Sequence, residues 1–146
     1  MIELRQDLWT VNADVLCVTT NGTVTDHGTN VMGGGCAAEA ARLYPNLPAR
    51  YGDFILAHGN HVFLLYPSLV MFPTKEDVRD PSTVARVNQS LLELEALTDL
   101  YGWDRVALPR PGCGLGGLSW VEDVYPLVAG LDDRFLLVDF PGVATV

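Results

Sequence analysis

Cationic side chains are scarce in this chain of 146 residues: 9 Lys and Arg stand against 18 Asp and Glu, a formal net charge of -9 at pH 7. A surface of that sign repels a polyphosphate backbone or an anionic bilayer, so broad electrostatic binding to nucleic acid or to a membrane is disfavoured. Any phosphate the chain holds must be met by main-chain N–H groups more than by Lys or Arg. Cysteine is sparse too. Cys17, Cys36 and Cys113 lie far apart without C-x-x-C spacing, which argues against a zinc site or a disulfide framework and fits a reducing, cytoplasmic setting. No apolar run approaches the roughly 18 residues of a membrane helix, and "MIELRQDLW" lacks the basic-then-apolar pattern of a secretory signal. Internal repeats, low-complexity tracts and linker-like stretches are missing as well. The expectation is one domain over residues 1–146, large enough to bury about two thirds of its unfolded surface.

What is present is a set of short apolar segments rich in Val, Leu and Phe. "DVLCVTT" (14–20), "DFILA" (53–57), "HVFLLY" (61–66), "LVMFP" (69–73), "RVALP" (105–109) and "RFLLVDF" (134–140) read as strands, several buried on both faces. Helical patterns lie between them at 35–43, 82–100 and 120–130. In the middle one Val84, Val87, Leu91, Leu94 and Leu97 recur at steps of three and four behind the start signals Pro81 and Ser82. Pro126 kinks the last helix or delays its start. Alternating strands and helices predict an α/β layer fold, and 53–73 predicts an antiparallel meander, so the sheet is expected to be mixed. His58 and His61 flank that meander's first turn as surface residues.

Nine of the 14 glycines fall in two strand-to-helix loops: Gly22, Gly28, Gly33, Gly34 and Gly35 in the first, Gly112, Gly114, Gly116 and Gly117 in the second. Glycine at the mouth of a helix gives up order on folding, and it leaves the N–H groups and the positive dipole end open to an anion. Two such loops in one α/β sheet predict facing backbone nests for a diphosphate, although tight turns alone also use glycine. No Walker loop occurs, and "GCGLGG" (112–117) meets the letters of a dinucleotide fingerprint without its context. Asn21 and Asn30 add donors and acceptors suited to ribose hydroxyls, or simply to turns.

Taken in order, "QDLW", "ADVLCVTTNG", "NVMGGGCAAEAA", "FPTK" (72–75) and "LPRPGCGLGGLSW" (108–120) resemble a macrodomain over essentially the whole chain. The branch it is most similar to includes terminal ADP-ribose protein glycohydrolases and macrodomains known as ADP-ribose-1''-phosphate phosphatases. The resemblance implies a three-layer α/β/α sandwich around a mixed, mainly parallel sheet. It also implies ADP-ribose as ligand, mono-ADP-ribosylated proteins as partners, and neither metal nor cofactor. Residue by residue, Asp7 with Leu8 matches the adenine-binding position, and an ionised carboxylate suits an exocyclic amine as acceptor; a capping role is the alternative. Asn21 matches the position facing the distal ribose, and Asn30 is a further ligand-binding candidate beside it. Val31, Met32, Gly33, Gly34 and Gly35 match the first phosphate loop, and Gly112, Cys113, Gly114, Leu115, Gly116, Gly117 and Leu118 match the second. Phe140 matches an aromatic that packs on the adenine or the proximal ribose, with core filling as the other role for a strand aromatic.

For catalysis the resemblance offers Lys75, whose counterpart attacks the distal ribose C1'' with help from an Asp, but the Asp position is Gly116 here. Lys75 then acts as nucleophile or only positions substrate, and Asn21, Asp26 or His27 stands as a candidate to activate water. The expected activity is removal of mono-ADP-ribose from acidic side chains, an ADP-ribosylglutamate hydrolase. Binding without turnover and ADP-ribose-1''-phosphate phosphatase action remain the alternatives.

Overall fold

Strand residues of this chain send alternate side chains into two separate cores. The computed structural model describes residues 1–141. Its strands are β1 (Ile2–Arg5), β2 (Val15–Asn21), β3 (Phe63–Tyr66), β4 (Leu69–Lys75), β5 (Val106–Pro109) and β6 (Phe135–Asp139). They form one sheet in the order β1-β6-β5-β2-β4-β3, in which every pair is parallel except β3 with β4. The helices are α1 (Gly35–Leu43), α2 (Leu47–His58), α3 (Val84–Tyr101) and α4 (Tyr125–Val128), and a 3-10 turn covers Leu8–Thr10.

On one face Val70, Phe72, Val106, Leu108, Phe135 and Leu137 pack with Val87, Leu91 and Leu94 of α3 and with Val124 and Val128. On the other, Val18, Leu69 and Met71 meet Ala37 and Ala40 of α1 and Leu47, Tyr51 and Ile55 of α2. The period-two alternation of a strand delivers one row to each face. The result is the expected three-layer sandwich with a mixed, mainly parallel sheet.

Two of the sequence-predicted elements differ. "DFILA" (53–57) lies inside α2, not in a strand. Leu47, Tyr51 and Ile55 recur every four residues on its buried side, Pro48 sits in its first turn, and Gly59 closes it at φ 90°. A short apolar run cannot by itself distinguish helix from strand, and the period begins upstream of it. The predicted meander therefore reduces to the β3–β4 hairpin. The predicted helix over 120–130 is a π-turn at Trp120–Val124 followed by the short α4, with Pro126 in the first turn of α4. Proline supplies no N–H to the carbonyl four residues back, and the wider turn absorbs that break.

Among the described residues, no helix is long and apolar enough to cross a membrane, and no group of three or more His, Cys, Asp or Glu is placed to hold a metal ion.

Candidate functional site

Every parallel strand points its carboxyl end to the same edge of the sheet, and a cleft of about 1440 Å³ opens there. The cleft runs from Asp7, Leu8, Asp139 and Phe140 at the β1–β6 side to Asn21, Thr74 and Lys75 at the β2–β4 side. From β1 to β4 is four strand steps, roughly 19 Å at about 4.8 Å each. That suits an extended nucleoside diphosphate sugar.

The two glycine loops face each other across the middle. Gly33, Gly34 and Gly35 line one wall with Cys36 and Ala37, and Gly112, Cys113, Gly114, Leu115 and Gly116 line the other. They touch at one point: a Cβ on Gly34 would lie 2.7 Å from Leu115 Cδ1. Gly35 opens α1 at φ 58°, where a side chain would be strained. A helix start leaves its first N–H groups without intrahelical partners, and here those of Gly35, Cys36 and Ala37 belong to residues that line the cleft.

At the β2–β4 end a bulge sets the geometry. Thr20 pairs with Pro73, but Asn21 pairs with Lys75, so Thr74 is the extra residue. Its hydroxyl is 3.4 Å from the Thr20 carbonyl and accepts from Ser82 Oγ at 3.1 Å. The bulge brings Lys75 beside Asn21. The Asn21 amide is committed locally, donating to the Val31 carbonyl at 2.8 Å and accepting from the Thr23 N–H at 2.9 Å. It fixes the root of the first loop and still lines the cleft.

At the other end Asp7 caps the 3-10 turn by accepting from the Trp9 N–H at 3.1 Å and lines the cleft as well, so capping and ligand contact are compatible. Phe140 follows β6 and is 62% exposed in the cleft, which removes core filling as its role. Arg110 stands 4.3 Å over the Trp120 ring and bonds Glu3 Oε1 at 3.3 Å.

Several predicted residues fall elsewhere. Asp26 and His27 sit on an exposed turn outside the cleft, so neither is placed to activate water there. Val24 bridges Asn30, the Asn30 N–H bonds the Pro48 carbonyl at 2.9 Å, and a Cβ on Gly52 would strike the Gly28 carbonyl. That turn is laid on α2 instead. Asn30 itself is buried and spends its amide donor on the Asn21 and Thr23 carbonyls, both at 2.9 Å, so it braces the loop and does not reach the cleft. Met32 turns into the core beside α1 and α2. Gly117 is a turn at φ 82°, and Leu118 packs toward α3 and over Gly112; neither lines the cleft.

Gly116 is no vacancy waiting for a carboxylate. A Cβ there would collide with Ser82 Oγ and lie 2.7 Å from the Gly112 carbonyl, while the Ser82 N–H bonds the Gly116 carbonyl at 3.0 Å. Ser82 occupies the space that an Asp would need. Sequence reasoning missed Ser82, Glu39, Trp9, Arg110 and Trp120 as cleft residues. Arg110 and Trp120 were findable because they bracket the second glycine loop, whereas Ser82 served only as a helix-start signal. Burial raises the Cys36 thiol, despite a hydrogen bond to Thr19 at 3.3 Å, and pushes Cys113 up to about 11. Neither thiol is poised as a nucleophile at neutral pH.

A mixed sheet with helices on both faces and two glycine loops at the carboxyl edge is the arrangement of a macrodomain, and the chain is a macrodomain. It is 32% identical over 127 residues to the DNA ADP-ribosyl glycohydrolase of Mycobacterium tuberculosis, a match covering 77% of this chain and 35% of that protein. The chain thus spans about a third of that relative's length. Among solved structures, the macrodomain of Mycobacterium tuberculosis DarG superposes with a TM-score of 0.77 at 27% identity, covering 97% of both chains. Thermosipho africanus DarTG, solved in complex with ADP-ribose, superposes with a TM-score of 0.73 at 22% identity, covering 90% of this chain and 39% of that one. No protein-family model matches the chain.

Proposed function

We propose that the chain binds ADP-ribose in this cleft and hydrolyses the bond that joins its distal ribose to a modified macromolecule. The observation that carries this reading is the meeting of two glycine loops over a cleft that ends at the Asn21–Lys75 pair. The loops suit a diphosphate held by main-chain N–H groups, with the adenine toward Asp7 and Phe140 and the reacting ribose beside Lys75.

Lys75 is the reacting amine in this reading. With Asp26 and His27 outside the cleft and Gly116 blocked, only Asn21 and Lys75 of the catalytic candidates line it. Of the carboxylates there, Asp7 and Asp139 stand at the opposite, β1–β6 end and Glu39 lies on α1. Lys75 is also the only lysine in the chain. The C1''–O4'' bond opens with a proton from solvent passing to O4'', and the neutral Lys75 amine adds to C1''. The bond from C1'' to the leaving atom then breaks as one amine proton passes to that atom, leaving a protonated C1''=N imine. Water then adds to the resulting imine carbon, releasing ADP-ribose and restoring the amine.

DNA is the modified macromolecule supported by the name of the mycobacterial relative. An acidic protein side chain is the second reading, favoured by charge: among the described residues lining the cleft, the cations are Lys75 and Arg110, and Arg110 is engaged by Glu3. The test is to incubate the chain with an ADP-ribosylated DNA oligonucleotide and with a glutamate-modified protein, and to measure free ADP-ribose. Catalytic release from either establishes the hydrolase and identifies the attachment. Tight calorimetric binding of ADP-ribose without release from either would make the chain a binding module.

Borohydride reduction during turnover should leave one ADP-ribose adduct on the peptide containing Lys75. Lys75→Ala should lower turnover by at least about 10³-fold, the scale of losing a directly acting group, with little change in ADP-ribose affinity. Near-normal turnover in that variant would return the mechanism to activated water.

A further inference from the structure

We infer that Asn60, held in place by Arg86, is the positioning residue for Lys75. This inference rests on the reading of Lys75 as the reacting amine. Asn60 lies in the turn between α2 and β3 and is not among the residues that line the cleft. Its contacts nevertheless converge on the backbone that carries Lys75.

The need arises from the sheet. β3 pairs with β4 only as far as Met71, opposite Phe63, so the outer side of 73–76 has no neighbouring strand. Pro73 also lacks an N–H, and the Thr74 bulge interrupts the register with β2. A segment with few ladder bonds holds a reacting group poorly unless other groups take over.

Side chains do take over. Asn60 Nδ2 donates to the Lys75 carbonyl at 3.2 Å and to Glu76 Oε2 at 3.1 Å. Ser90 Oγ of α3 donates to the Pro73 carbonyl at 2.6 Å. From the inner side the Gly22 N–H donates to the Glu76 carbonyl at 3.1 Å. Gly22 is required for that approach, since a Cβ would lie 2.7 Å from the Glu76 carbonyl oxygen and 2.8 Å from Asn60 Cγ. The Asn60 amide thus lies directly against Gly22, one residue past Asn21.

Arg86 fixes Asn60 from behind. Its side chain is 9% exposed. Nη1 donates to the Asn60 carbonyl at 2.9 Å, while Nε and Nη2 donate to Ser90 Oγ at 3.2 and 3.0 Å. Glu76 at 3.6 Å and Glu93 at 3.7 Å supply its counter-charges. One buried guanidinium therefore orders both side chains that grip 73–76, and the planar fork suits that double task better than an ammonium.

The experiment compares Asn60→Asp with the parent chain and with Lys75→Ala, using an ADP-ribosylated substrate that the parent cleaves. Asn60→Asp keeps the shape against Gly22 and removes the donor. Its turnover number is expected to fall about 10- to 100-fold, the cost of displacing a reacting group by up to about an ångström. The affinity for free ADP-ribose should stay within about twofold, because neither Asn60 nor Gly22, the first-loop glycine it lies against, lines the cleft. Placed on Lys75→Ala, the Asn60→Asp change should slow the residual rate no further, which a merely structural role would not produce.

Parent-like turnover of Asn60→Asp, with Lys75→Ala inactive, overturns the inference and leaves Lys75 as the reacting amine. A parallel loss of ADP-ribose affinity also overturns it, in favour of a general structural role. Full activity of Lys75→Ala removes the underlying reading and this inference with it. Should Asn60→Asp fail to fold, Arg86→Lys keeps the charge between Glu76 and Glu93 without the fork; the same pattern with a smaller loss is expected, and a parent-like rate overturns the inference.

Discussion

The two glycine loops have the same composition and opposite construction. The second is braced: the Ser82 N–H bonds the Gly116 carbonyl at 3.0 Å, the Leu118 N–H bonds the Gly112 carbonyl at 2.8 Å, and the Cys113 N–H bonds the Arg110 carbonyl at 3.3 Å. Its glycines answer to neighbours, since a Cβ on Gly112 would lie 2.7 Å from Leu118 Cδ1 and one on Gly116 would strike Ser82. The first loop is braced at its root by Asn21 and Asn30 but open over residues 33–35. A Cβ on Gly33 or Gly35 would meet nothing within 4 Å, and one on Gly34 would meet only the tip of Leu115. Packing therefore explains Gly112 and Gly116 but leaves glycine unexplained at Gly33, Gly34 and Gly114, all of which line the cleft, where approach of a ligand supplies the reason.

The most severe way to break this comparison is Gly34→Glu. The backbone at Gly34 is extended, with φ -147° and ψ 160°, so a side chain is allowed, and the Leu115 tip can swing aside. The fold should survive, but a carboxylate would stand where the diphosphate is proposed to sit. Placing like charges together costs several kcal/mol in an interface. ADP-ribose affinity measured by calorimetry should drop at least about 100-fold, roughly 2.8 kcal/mol or more at about 1.4 kcal/mol per decade. Unchanged affinity would take the diphosphate out of this loop.

A gentler pair sharpens the same contrast by adding one methyl to each loop. Gly116→Ala forces Ser82 Oγ and the Gly112 carbonyl apart, and such overpacking costs about 2 kcal/mol. Its Tm should fall by several degrees. Gly33→Ala adds a methyl into open space at a φ outside the left-handed region, where losing glycine's unfolded freedom stabilises by about 0.4–1 kcal/mol. Its Tm should hold or rise while ADP-ribose binding weakens by about tenfold, because Gly33 lines the cleft where the diphosphate is proposed to sit. Equal Tm losses in the two variants would mean that the first loop is packed after all.

This contrast also marks what could be read from the sequence. An α/β layer fold and α1 over Gly35–Leu43 were legible because strands buried on both faces are continuous apolar runs and the helix follows directly on its glycines. The three layers and the mainly parallel order came from the family resemblance, and the largely exposed β1 was not read as a strand. α2 was not, because its buried residues Leu47, Tyr51 and Ile55 are interleaved with Pro48 and Gly52, and the densest apolar stretch sits at its end. Both glycine loops were legible as loops. Their difference was not, because bracing depends on Ser82, distant in sequence from Gly116 and brought to it only by the fold. The same limit hid the fate of Asp26, His27 and Asn30. Their residue types suit catalysis, but the contact of Gly28 with Gly52 lays that turn on α2.

The smallest expected effect concerns the far end of the cleft, where Phe140 and Phe72 make the contrast. Phe72 in β4 is fully buried, whereas Phe140, just past β6, is 62% exposed and lines the cleft between Asp139 and the second loop. A large aromatic left in water at the rim of a cleft gains little for folding, so Phe140→Ala should leave Tm within about a degree, in line with the small effects of exposed sites. An aromatic stacked on a ligand ring contributes about 0.5–1.5 kcal/mol beyond its area. ADP-ribose affinity should therefore weaken by about fivefold, and the loss should vanish for ribose 5-phosphate, which carries no adenine to stack. A loss of the same size for both ligands would place Phe140 near the phosphates. A fall in Tm with unchanged affinity would make it a cover for the Leu8 and Val138 core beneath.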